Sequence, residues 1–383
     1  MIDIAVLEKL NAPTKEERLA NLAAILPQTQ FPPMVSQYIN NHIHTTYSFS
    51  PYSPTAAVYA ARMEGLCTAG IIDHDSISGA EEFLEAAKLV NMPVTIGMEC
   101  RVSMDGTRLE GRRTNNPDQV GVSYMTIQSV PHDKIDTLTE FFRPYQQARH
   151  NRNRQMISKI NALLNLDLDY DKDVLPLSMA HENGGVTERH LMYALAMKLV
   201  AEVGKGQAMV EKLSSMGLNL STKQQAQMLD EAYPFYEYDL LGILKGAFVP
   251  QIFIPATDEC PKLSQMVKLC AEVDAYLCYA YLGDVGDSVT GDKKAQKFED
   301  DYLDDVFECL KEEGVKAVTY MPTRNTPAQL ERLRGLCDAY GMFQISGEDI
   351  NSPRQSFIIR AMENPMFQNL IDATWKLIEH ENK

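Results

Sequence analysis

The chain has 383 residues, with 36 Lys and Arg against 52 Asp and Glu, a formal charge of −16 and 45% hydrophobic residues. This composition is that of a folded globular chain and excludes collagen-like, mucin-like and low-complexity classes. The acidic balance speaks against a nucleic-acid coat or a binder of anionic membranes, both of which need a basic face, so a long nucleic acid is not an expected partner.

Residues 1–37 read as an N-terminal helical arm, with Leu19, Leu22, Ala23 and Ile25 behind a charged turn and Pro27, Pro32 and Pro33 ending it. From residue 38 short apolar runs alternate with helical patterns. Thr68–Ile72 predicts a buried strand, 79–90 a helix, and Val94–Gly97 a second strand. Residues 143–250 lack strand signal and read as an all-α insertion, with helices over 153–164, 190–203 and 223–232. The alternation resumes with helix 263–273, strand 275–280, helix 302–313, strand 315–320, helix 326–340 and strand 342–346. Strands alternating with helices imply a mostly parallel sheet or barrel. The expected organisation is a barrel split into 38–142 and 251–383 around the helical insertion.

The seven cysteines (67, 100, 260, 270, 278, 309 and 337) form no CxxC pair and are odd in number. Buried free thiols in a reducing compartment are expected. No stretch reaches the ~18 apolar residues of a membrane span, and the first residues lack a basic-then-apolar leader pattern, so a cytoplasmic protein is expected.

The chemistry lies where the predicted strands end, which in (β/α) barrels is the active-site face. His42 and His44 are two apart, so in an extended segment both imidazoles point to one side. Asp73 and His74 follow the next strand, Glu99 the one after, and Asp349 the last. Imidazoles with carboxylates suit Zn, Mn or Fe better than Mg or a structural thiolate site. No P-loop, nucleophile elbow or dinucleotide fingerprint accompanies them.

Asn41-His42-Ile43-His44-Thr45-Thr46-Tyr47-Ser48 resembles the opening motif of the PHP (polymerase and histidinol phosphatase) superfamily. Ile71-Ile72-Asp73-His74-Asp75, Gly97-Met98-Glu99, Thr187-Glu188-Arg189-His190-Leu191 and Ile345-Ser346-Gly347-Glu348-Asp349-Ile350-Asn351 resemble its later motifs, in order, from about residue 39 to 357. The helical insertion looks like that of the phosphoesterase-type members. The resemblance implies a distorted (β/α)7 TIM-like barrel and phosphoester hydrolysis through a metal-bound hydroxide. It also implies that His42, His44, Glu99 and Asp349 hold a first metal and that Glu99 and His190 hold a second. His74 would belong to a third, with Asp73 orienting it or a neighbour, and His74, His190 and Asp73 would serve catalysis.

Four positions depart from the family pattern. Phe49 stands where an Asp is usual, Tyr281 where a His is usual, and Asn351 where the closing His is usual. The stretch Tyr124–Ile127 lacks a further His. One to two divalent ions per chain are therefore expected. Arg189, Arg324, Tyr281 and Asn351 are the expected substrate contacts. Arg108, Arg112 and Arg113 form a loop that either reaches over the site or stays solvated, and Arg149, Arg152 and Arg154 form a candidate short basic track. The expected function is hydrolysis of a small phosphorylated metabolite, a nucleotide or sugar phosphate. The alternative is a catalytically reduced barrel that binds a phosphorylated or sugar-like ligand. Oligomeric state is left open.

Overall fold

The computed structural model describes residues 2–285 and 296–383. Helices α1 (Ile4–Leu10) and α2 (Lys15–Ile25) form the arm; Asp3 caps the first, and Thr14 with Glu17 forms a capping box on the second. Then follow β1 (Val35–Ile43), α3 (Pro54–Met63), β2 (Leu66–His74), α4 (Ala80–Leu89), β3 (Val94–Ser103) and β4 (Val122–Gln128). Helices α5 (Ile135–Leu164), α6 (Glu188–Val203), α7 (Gln207–Ser215), α8 (Thr222–Leu229) and α9 (Tyr236–Ile252) make the insertion. The chain continues through α10 (Leu263–Glu272), β5 (Tyr276–Ala280), α11 (Leu303–Glu313), β6 (Ala317–Tyr320), α12 (Pro327–Tyr340), β7 (Phe343–Ser346) and α13 (Gln368–Glu381).

The seven strands lie in chain order in one sheet. All pairings are parallel except β3–β4 and β4–β5. Among the expected strands, β4 is an addition: its segment showed no strand signal. Its direction follows from the connection before it. Residues 104–121 contain no crossover helix, so the chain turns back beside β3 instead of returning parallel to it. The sheet closes where His44 N–H donates to Ile350 O (2.9 Å) and Ile350 N–H donates to His42 O (3.1 Å). The result is a nearly closed seven-stranded barrel, an α/β fold of the distorted (β/α)7 type. β2 and β3 are buried along almost their whole length, as strands covered on both faces must be.

Among the described residues, the two largest apolar cores organise the molecule. The larger surrounds the barrel; the smaller is built from α6, α9 and the second half of α5. The 30-residue α5 serves both: Ile135, Leu138 and Phe142 enter the barrel core, Met156, Ile157 and Ile160 the insertion core. The 142/143 boundary read from sequence thus falls inside a helix rather than in a linker. Phe49, from the loop after β1, reaches into the insertion core. The arm is held by a buried ion pair, Arg18 Nη2 to Glu82 Oε2 at 2.5 Å. Helix α13 lies at the start of β3, away from Glu99, where Glu381 accepts from Ile96 N–H (3.0 Å). All seven cysteines are free and buried. Among the described residues, no helix is long and apolar enough to cross a membrane.

Candidate metal centre

Strand register brings the first residues together. In the β2–β3 ladder His74 lies beside Glu99, and His74 Nδ1 is 3.0 Å from Glu99 Oε2. From β1, His42 Nε2 reaches within 3.8 Å of the same oxygen. The segment after β7 delivers Asp349, whose Oδ1 lies 3.1 Å from His44 Nε2. A glycine permits this approach, because a Cβ at Gly347 would stand 2.5 Å from that of His42. The imidazole centroids of His42 and His44 are 5.0 Å apart, and those of His44 and His74 are 4.6 Å apart.

Two overlapping groups have ligand geometry among the described residues: His42, His44 and Asp349, and His44, His74 and Glu99. His44 belongs to both. The Nε2 atoms of His42 and His44 are buried and make no well-aligned hydrogen bond. Buried ring nitrogens that face carboxylates without an aligned hydrogen bond are the donor set of a borderline divalent cation, so these residues fit a metal ion.

Asp73 supports the centre from behind. It accepts from Thr45 N–H (2.7 Å), Thr45 Oγ1 (2.6 Å) and Ser48 Oγ (2.6 Å), which fixes the turn after β1. Ser48 donates its proton to Asp73, so its oxygen accepts from His44 Nδ1–H at 3.2 Å. That tautomer leaves the Nε2 lone pair of His44 facing Asp349. Thr45 and Ser48 were not singled out in the sequence, where only the histidines carried a ligand signal.

The charges follow this arrangement. Burial opposes a charge on His44, but Asp349, Glu99 and Asp73 raise its pKa above the usual value. Burial pushes Asp349 up, yet His44, His42 and His74 hold its carboxyl well below the carboxylate range. Glu99 is likewise lowered against burial, mainly by His74. Burial takes His74 down to about 3 despite Glu99. A field that attracts a proton to His44 also attracts a cation.

Other expected residues fall elsewhere. His190 joins neither ligand group. Its Nδ1 accepts from Thr187 N–H (3.0 Å), its ring packs edge-on against Phe49, and burial takes it down to about 3. The neutral ring then carries its proton on Nε2. Tyr281 donates to Asp300 Oδ1 (2.6 Å), not toward the histidines. Asn351 Nδ2 donates to Asp349 Oδ1 (2.6 Å) and so buttresses a ligand. Arg189 stacks over Phe49 and reaches Asn351 O (3.3 Å). Arg324 donates to Leu282 O (3.2 Å). Arg189 Nε and Arg324 Nη2 are buried without a partner, and both guanidinium groups lie in the field of Asp349.

Two basic segments read differently in the fold. Arg108 and Arg112 pair with Glu308, Glu312 and Asp305 on α11, and Arg113 donates to Asn116 O and Pro117 O. Arg149 and Arg152 are buried among acids, while Arg154 pairs with Asp171, so no basic track forms.

Residues 40–225 match the profile of the PHP domain. Among characterised proteins the chain is 32% identical over 96 residues to the error-prone DNA polymerase of Mycobacterium tuberculosis H37Rv, which is 24% of this chain and 8% of that protein. It is 35% identical over 65 residues to the 5'-3' exoribonuclease of Haemophilus influenzae, 17% of this chain and 24% of that one. The chain therefore matches only a small part of either relative. Two solved structures share the fold. One is a Bifidobacterium adolescentis protein provisionally assigned as a metal-dependent phosphoesterase: TM-score 0.55, 17% identity, 89% of this chain and 98% of that one. The other is an amidohydrolase from Chromobacterium violaceum with bound sulfate and no metal: TM-score 0.56, 14% identity, 88% and 96% covered. Residues 40–225 are thus a PHP domain by their profile; the match ends inside the helical insertion, and Asp349, which the barrel returns to His42 and His44, lies beyond it.

Proposed function

We propose that the chain is a metal-dependent phosphoesterase acting on a small phosphorylated metabolite, with one divalent ion held by His42, His44, His74, Glu99 and Asp349. The convergence of these five groups, with buried imidazole nitrogens lacking partners, is the observation that supports it. One ion is favoured because the two ligand groups share His44, and its other ring nitrogen is engaged by Ser48. The nitrogen-rich set favours Zn, Mn or Fe. Such an ion supplies Lewis-acid activation of a water and polarisation of the oxygen it contacts.

The remaining steps belong to the side chains. Arg189 Nε and Arg324 Nη2 are unused, charged donors near the centre, suited to the oxygens of a phosphoryl group. His190, neutral at ordinary pH, holds its Nε2 proton as a hydrogen-bond donor rather than as an acid. The substrate is small because a polyanion needs a basic track, and the candidate arginines are internally paired.

Phosphate release should be measured over nucleotides and sugar phosphates with Zn, Mn or Fe present. Turnover that a chelator abolishes and metal restores supports the enzyme. Thermal stabilisation by a phosphorylated ligand, with no turnover under any metal, supports a binding protein instead.

A further inference from the structure

The turn that carries His74 is gripped by the helical insertion. Asp75, next to His74, has a left-handed backbone (φ 55°) and donates its N–H to Glu99 O at 2.7 Å. This is an unfavourable conformation for a residue with a side chain, so something must hold it. Three contacts do so. Arg149 Nη1 on α5 donates to Asp75 Oδ2 in a buried ion pair. Gln146 Nε2, one turn earlier, donates to Asp75 O (2.7 Å) and Asn183 O (2.9 Å). Ser76 Oγ donates to Asn183 O (2.7 Å). The next loop residues press on His74 itself: a Cβ on Gly185 would stand 2.1 Å from His74 O.

Arg149 is itself fixed. Its Nη2 pairs with Glu188 (2.9 Å), which also binds Arg152 and Arg101, and these two share Glu259. Three arginines and three acids thus form a buried, charge-balanced cluster joining β3, α5, α6, the turn after β2 and the segment before α10. Isolated buried charges are costly, whereas each charge in this set faces at least one opposite partner. None of the six belongs to either ligand group.

We propose that Arg149 is a positioning residue for His74, so that the helical insertion sets the geometry of the metal centre through Asp75. The proposal rests on the metal reading given above. The test uses the full chain loaded with Co2+, whose visible spectrum reports coordination. If the wild type takes up no Co2+, the metal reading itself fails before any variant is compared. Given a wild-type spectrum, His74→Ala should change it. Arg149→Met should change it in the same direction and weaken Co2+ binding by about 10–100-fold, the range for outer partners of ligands. Arg149→Lys should restore part of both. Arg152→Met cuts the same cluster without touching Asp75 and should lower the melting temperature while keeping the wild-type spectrum. Gln146→Ala removes the hydrogen bonds to the Asp75 and Asn183 carbonyls, leaves the charged cluster intact and serves if Arg149→Met does not fold; it should weaken Co2+ binding in the same direction. A folded Arg149→Met with wild-type spectrum and affinity overturns the proposal, as does an unaltered Gln146→Ala when Arg149→Met cannot be obtained.

Discussion

The two sides of the barrel mouth solve the same problem differently. On the side of β1–β3 and β7, ligand-type residues face one another and leave ring nitrogens without partners. On the side of β4–β6, several polar groups bond within the protein, and none of the described residues there joins a ligand group. Tyr281 gives its proton to Asp300, Glu299 accepts from Leu282 and Gly283 N–H, and Asn115 spans Tyr124 O and Ala280 O. Both sides keep buried polar atoms without partners, Glu299 Oε2 and Asn325 Oδ1 on the second among them, but among the described residues the first side alone sets imidazole nitrogens beside carboxylates, the donor set a cation needs. Departures from the family pattern at Tyr124 and Tyr281 belong to the second side. That contrast, rather than the number of histidines, is the physical ground for expecting one ion.

The strongest test of the contrast removes a ligand. Asp349→Ala deletes the carboxylate beside His44 and leaves Asn351 without its acceptor, so metal affinity should drop by more than the ~100-fold typical of outer partners. Dialysis against graded metal-ion buffers, followed by metal analysis, measures it.

Next are the unused guanidinium donors. Arg189→Gln and Arg324→Gln each remove a charged hydrogen bond of ~1.5–3 kcal/mol to a phosphate, or about 10–100-fold in KM, with metal content unchanged. Steady-state kinetics on the best phosphorylated substrate, with metal analysis alongside, separates this from damage to the centre.

On the side of β4–β6, Tyr281→Phe should leave bound metal untouched and lower stability by ~1–2 kcal/mol, through the lost hydrogen bond to Asp300. Denaturant unfolding gives the stability, and a loss of metal in this variant would blur the distinction between the two sides.

The smallest effect concerns pH in the metal-free protein. His74 and His190 are held down to about 3, so below the usual histidine value of 6.5 the unfolded chain binds more protons than the folded one. Their contribution to stability is full above 6.5 and is lost as pH falls toward 3. His44, raised by Asp349, contributes stability below 6.5 that is lost as pH rises through its folded value. Melting temperature should therefore peak near pH 6.5, and His190→Phe should flatten the acid side of the curve.

Much of the barrel could be read from the chain because its strands are short apolar runs ending in polar residues, as at Thr68–Ile72 before Asp73. The strand Val122–Gln128 escaped notice because Ser123, Tyr124, Thr126 and Gln128 interrupt the apolar run. Metal-ligand types were visible one by one, but distance was not. Nothing local separates His190, locked by Thr187, from His44, which is turned toward Asp349. The arginines of α5 looked like a basic surface because their partners, Asp75, Glu188 and Glu259, are 36 to 107 positions away in the chain. Ser48 and Thr45 gave no signal, since a hydroxyl gains meaning only from the carboxylate it meets.

The count of metal ions per chain tests the account most directly. Elemental analysis after reconstitution with Zn, Mn or Fe and removal of excess should find one ion in the wild type and none in Asp349→Ala. A wild type that retains no ion, or one that holds two or more, would contradict it.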